Sequence, residues 1–108
     1  MITKITTSPL ANKRLRAEIE TKLGTKVIDF GFKMNGRYGT TFVDGADVVK
    51  RKNYWARHLA NETEYKLINN LVPSPSLLSA YILWGNTRDV GKNVKHLNAL
   101  WAKAHGNI

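Results

Sequence analysis

The sequence predicts an α+β fold, a hairpin first and helices after it. Three observations carry that reading. Two runs of alternating polarity, Arg14 to Glu20 and Val27 to Lys33, flank a turn around Gly24. Beyond residue 44 the apolar positions instead recur at helical spacing, and Ser74-Pro75 marks a helix start inside that half. Strand signals followed by helix signals are the pattern of an α+β chain, not of alternating βαβ units.

In the first run Leu15, Ala17 and Ile19 fall on one face and Arg14, Arg16, Glu18 and Glu20 on the other, the period of a half-buried strand. In the second, Ile28, Phe30 and Phe32 share a face. The two runs therefore read as an antiparallel hairpin over about 14–33, with an aromatic inner side and a turn at Lys22 to Thr25. Ile2 to Thr6 is a candidate third strand at the edge, and Met34 to Thr41, with Gly36 and Gly39, is the loop from sheet to helix.

Three or four helices packed on the hairpin complete the expectation. Asp44 as N-cap, with Asp47 three residues on, predicts a helix over about 46–59 whose core side is Val48, Trp55 and Leu59 and whose outer stripe holds Lys50, Asn53 and Arg57. A short helix is placed at 64–71. Ser74 as cap and Pro75 as first helical residue open a helix over 75–84, apolar almost all round and ended by Gly85. Thr87 is the candidate cap of a last helix over 88–105, in which Val90, Val94, Leu97, Trp101 and Ala104 form the buried stripe and Gly106 the stop.

The 108 residues suit a single small basic domain with one modest core. Cysteine is absent, which removes disulfides and thiolate metal sites. The start of the chain shows no signal-peptide h-region, and the longest apolar run, Leu77 to Trp84, is too short to span a bilayer, so a soluble, unsecreted protein is expected. Seventeen Lys and Arg oppose eight Asp and Glu, a formal net charge of +9. Such an excess repels itself in an isolated domain and is most readily understood if a polyanion neutralises it.

No catalytic motif accompanies the charge. Lys33 to Thr41 has glycines but lacks the Gly-Lys-Ser/Thr ending of a P-loop. His58, His96 and His105 lack metal-ligand spacing, and the carboxylates are accounted for as caps and solvated charges. We therefore expect no catalytic residue, no metal, no cofactor and no small-molecule substrate. Gly36-Arg37-Tyr38-Gly39 matches the GXXG loop with which KH domains clamp a nucleic-acid backbone, but the match is short, it follows a strand instead of joining two helices, and a turn whose glycines solve a backbone problem explains it better. The candidate contacts to nucleic acid or another acidic partner are Lys50, Arg51, Lys52, Asn53, Tyr54, Arg57 and His58 on the basic helix, Arg14 and Arg16 on the hairpin, Arg37 in the loop, and Lys92 and Lys95 on the last helix. Tyr54 offers a ring for stacking on bases; Trp84 and Trp101 are core residues or anchors of a protein interface.

Phe30-Gly31-Phe32-Lys33, the basic helix closing in Ala56-Arg57-His58, and the serine-started helix closing in Ile82-Leu83-Trp84 occur in an order that resembles a family of short basic proteins encoded by large double-stranded DNA viruses. The resemblance spans about Arg14 to Leu100 and departs at Met34 to Thr41 and at Gly85. It implies a viral context, in the virion or the host cytoplasm, and supplies no catalytic residues. The expected function is then a non-enzymatic virion or nucleoprotein component that docks through the basic helix on nucleic acid or another acidic surface. A minor capsid or cement protein meeting acidic capsid subunits is the alternative, and a nucleic-acid-acting enzyme a remote one.

Overall fold

The computed structural model describes residues 1–104 and bears out the α+β order. Strands β1 (Ile2–Thr7), β2 (Lys13–Thr21) and β3 (Gly24–Phe32) form one antiparallel sheet in the order β1-β2-β3. The hairpin closes at Lys22-Leu23, since Thr21 already pairs with Gly24. The expected edge strand is real, and Asn98 of the last helix holds it, accepting from the Ile2 N–H at 2.8 Å and donating to its carbonyl at 3.0 Å.

Four helices follow: α1 (Val48–Leu59), α2 (Glu62–Asn69), α3 (Pro75–Leu78) and α4 (Val90–Ala104). The predicted ends of the last helix, His105 and Gly106, lie outside the described residues. Ser74 caps α3 as expected, its hydroxyl accepting from the Leu77 N–H. Two other caps differ from expectation. Asp47, not Asp44, accepts from the Lys50 N–H and starts α1, whereas Asp44 closes a capping box with Thr41 around a 3-10 turn at Phe42–Asp44. Asp89, not Thr87, accepts from the Lys92 N–H at the start of α4. In both cases the carboxylate nearer the helical residues reaches the free amides first. α2 begins at Glu62 instead of residue 64, because Asn61 accepts from the Glu64 N–H and fixes the entry there.

The helix expected over 75–84 is α-helical for only four residues. It then widens into a π-helical turn over Ser79–Leu83, a rare conformation that recurs at functional sites. This segment is the centre of the molecule: Leu77, Leu78, Ile82 and Leu83 join Ala17, Ile19, Ile28 and Phe30 of the sheet and Leu97 and Trp101 of α4 in one core. Gly31 makes the contact between layers possible. Its φ is +82°, and a Cβ there would lie 3.0 Å from both Leu83 Cδ1 and Arg14 Cβ.

The inner face of the hairpin ends sooner than its periodicity suggests. Ile28 and Phe30 are buried, but Phe32 is 69% exposed because its position at the strand end lies beyond the helical cover. Trp101 is a core residue whose indole N–H donates to the Leu71 carbonyl at 2.7 Å. Trp84 is only partly buried. No helix among the described residues is long and apolar enough to cross a membrane.

Candidate functional site

The chemistry of α1 follows from what it packs against. The π-helical turn ends at Trp84 and Gly85 with carbonyls that have no further helical donor, and those acceptors select donors on the facing helix. Arg51 Nε donates to the Gly85 carbonyl at 2.8 Å and to that of Trp84 at 3.2 Å; Trp55 Nε1 donates to Trp84 at 2.8 Å. Tyr54 lies flat on Trp84, centroids 4.6 Å apart, and the His58 ring is tilted against Tyr54 with centroids 4.1 Å apart. The inward stripe is thus Arg51, Tyr54, Trp55 and His58, and the expected core side is corrected: no residue of α1 is fully buried, and Val48 is 67% exposed. Apolar character alone misplaced the face because polar acceptors, not a hydrophobic surface, receive this helix.

Of the residues singled out on α1, Lys50, Lys52, Asn53 and Arg57 remain on the exposed side, while Arg51, Tyr54 and His58 are engaged within the chain. Burial, together with the charge of Glu64, pushes the Tyr54 hydroxyl up to about 12, so the phenol stays protonated. Burial likewise raises that of Tyr81, whose ring meets Trp55 edge-on at 5.2 Å.

The hairpin arginines are also occupied. Arg14 grips Asp44 through both guanidinium nitrogens, at 2.7 and 2.6 Å, and stands over the Tyr38 ring at 3.8 Å. Arg16 grips Asp29 at 2.9 and 3.1 Å, and Ser8 donates to the same carboxylate. The hydrogen bonds from Arg16 hold Asp29 below the usual carboxylate range, and Asp29 in turn raises Arg16. Arg37 is exposed, its backbone paired with Met34 across a tight Asn35-Gly36 turn in which both central residues have positive φ. The glycine of the GXXG-like stretch therefore serves a hairpin turn. Lys92 and Lys95 are exposed on α4.

All eight carboxylates have internal work. Four pair with Lys4, Arg14, Arg16 and Lys66, Glu64 pairs with His58, Asp47 and Asp89 cap helices, and Glu20 accepts from Thr25. Four of the seventeen Lys and Arg are thereby matched, and among the described residues the other thirteen have no acidic partner within ion-pair distance.

Asp44 gives the acid limit of this arrangement. Partial burial pushes its carboxyl up, but hydrogen bonds from Arg14 and from the Thr41 N–H and hydroxyl outweigh that and hold it at about 2, against an ordinary 3.8. A group depressed on folding stabilises fully above its unfolded value and ceases to do so as pH falls through the folded one. Asp44→Asn is expected to lower the melting temperature at neutral pH. It should also shrink the stability lost between about pH 4 and pH 2, measured by thermal melts across that window.

Between the end of β3 and the α1–π-turn wall lies a cleft of about 440 Å³. Phe32 and Tyr38, 69% and 50% exposed, line the sheet side; Tyr54, His58 and Trp84 line the other; Leu83 and Gly31 also line it. Glu64 Oε1 accepts from His58 Nδ1 at 2.8 Å and from the Ser76 hydroxyl at 3.3 Å. Lys13, Arg14, Thr40, Thr41 and Ser79 add further polar groups to the lining. Sequence reasoning missed Phe32, Tyr38, Glu64, Ser76 and Ser79 as site residues. Gly31 followed by an aromatic at a strand end was the available signal; nothing local pairs Glu64 with His58. Among the described residues no group of three or more His, Cys, Asp or Glu is gathered to hold a metal.

A family model for a family of unknown function, DUF5754, matches residues 3–58, just over half of the 108-residue chain, and the chain belongs to that family. The match runs from β1 to the end of α1, so it includes the sheet wall of the cleft and the basic helix. No curated protein and no solved structure matches the chain.

Proposed function

We propose that this family member is a non-enzymatic nucleic-acid-docking protein whose contact surface is the outer side of α1. One observation carries the reading: cations and acids are sorted. The carboxylates are engaged internally, while Lys50, Lys52 and Arg57 project from one helix with Asn53 among them and, among the described residues, no carboxylate within ion-pair distance of their side chains. Phosphate oxygens at regular spacing are the complement of such a row, with cations supplying affinity and an amide adding a directed hydrogen bond. Sequence-specific readout is not part of the proposal. The resemblance of its motif order to that of the viral proteins is what favours a role in a virion or in the host cytoplasm.

A second reading has an observation of its own. Val48 and Val49, 67% and 61% exposed, lie beside the lysines on α1, and an apolar patch rimmed by cations suits an acidic protein surface such as a capsid subunit. Salt titration separates the two. Docking on duplex DNA is expected to weaken along a linear log–log salt plot with a slope near 0.9 per phosphate neutralised. Absence of DNA and RNA binding at low salt would reject the nucleic-acid reading, and retention at fixed copy number in shells emptied of genome would favour the second.

A further inference from the structure

We infer that the cleft between β3 and α1 receives a single unpaired nucleobase from the docked strand, an inference that rests on the nucleic-acid reading of α1. A planar heterocycle needs flat apolar walls, a polar edge to satisfy its own donors and acceptors, and cations near its phosphate. The cleft supplies each. Phe32 and Tyr38 line one side, and the stacked pair of Tyr54 and Trp84, with the His58 ring tilted against Tyr54, lines the other. Its volume of about 440 Å³ lies within the usual range of small-ligand sites, roughly 300–1,000 Å³.

The polar edge is only partly spent. Glu64 uses Oε1 for both His58 and Ser76, so its second oxygen, His58 Nε2 and the Ser79 hydroxyl hold no hydrogen bond among the described residues. Such groups are matched to the mixed donors and acceptors of a base edge, not to a hydrocarbon. The π-helical turn contributes Ser79 and Leu83 to the lining. Lys13 is the cross-strand partner of Phe32 and lines the same cleft, so a cation is available on this side for the phosphate of the inserted nucleotide. A large aromatic left mostly in water at the mouth of a cleft is the side chain that a stacked base would cover.

The test compares the full chain on oligothymidylate and on a base-free deoxyribose-phosphate oligomer of equal length, by fluorescence anisotropy at one salt concentration. Oligothymidylate is expected to bind roughly ten-fold more tightly. Phe32→Ala should abolish that advantage while leaving affinity for the base-free oligomer unchanged; because Phe32 is exposed, the variant should melt like the parent. Equal binding of the two oligomers, or an equal loss on both in the variant, overturns the inference while the α1 reading survives. If neither oligomer binds, the α1 reading fails and thymidine monophosphate decides the cleft alone. Amide shifts at Gly31, Ser79 and Trp84 would then sustain it, and their absence would overturn it.

Discussion

Gly85→Ala is expected to destabilise the protein by about 3–5 kcal/mol, more than a substitution of one hydrogen for one methyl ordinarily does. The added Cβ would collide with the Tyr81 carbonyl oxygen and lie 2.6 Å from Asn93 Cγ. Neither neighbour can yield easily. The Tyr81 carbonyl belongs to the π-helical turn, and Asn93 is fully buried and holds four hydrogen bonds: Nδ2 donates to the Ile82 and Thr87 carbonyls, and Oδ1 accepts from the Thr87 N–H and hydroxyl. Displacing it strands buried polar groups, each worth about 1–3 kcal/mol, on top of about 1–3 for overpacking. Since such a domain has only about 5–15 kcal/mol in total, the melting temperature should fall by well over ~10 °C. Asn93→Ala should be strongly destabilising too, but the pair Gly85→Ala with Asn93→Ala should cost less than the sum, because removing the amide clears one of the two clashes. A Gly85→Ala protein that melts with the parent would mean that the turn is not held in this geometry.

That junction also marks where the sequence stops being legible. The glycine reads as a helix stop, yet what requires it is the approach of Asn93 from a helix that starts five residues later. Asn93 itself sits on the stripe of Leu97 and Trp101, and its polar side chain hides it from any search for apolar periodicity. The hairpin was readable because two-residue alternation reports directly which face is covered; alternation says nothing about how far the cover extends, and Phe32 shows that it ends before the strand does. Ser74-Pro75 was readable because capping is a local interaction. The π-helical turn was not, since its extra residue per turn leaves no mark in a run apolar on all sides. The inward stripe of α1 depends on two carbonyls some thirty residues away, at Trp84 and Gly85, and no window along the chain brings those together with Arg51 and Trp55.

The same sorting of charges fixes what should happen when the outer row of α1 is removed. Lys50, Lys52 and Arg57 are exposed and have no ion pair among the described residues, so replacing all three by alanine should leave the melting temperature nearly unchanged. Its effect should fall on binding. If each cation neutralises one phosphate, the log–log salt slope on duplex DNA should drop by about 2.7, and at about 0.15 M salt the affinity should fall by roughly a hundred-fold. Arg16→Gln provides the contrast. Its charge is committed to Asp29 through two hydrogen bonds, so its loss should change the slope by less than one phosphate, about 0.9, even if it lowers stability. Counting cations in the sequence would give the two sites equal weight per charge. The ion pairs do not, because a guanidinium already held by a carboxylate has few counterions to displace from DNA. A triple variant with the parent's slope would place the phosphate contacts away from α1, at Arg37 or on α4, and would remove the basis for assigning this helix to docking.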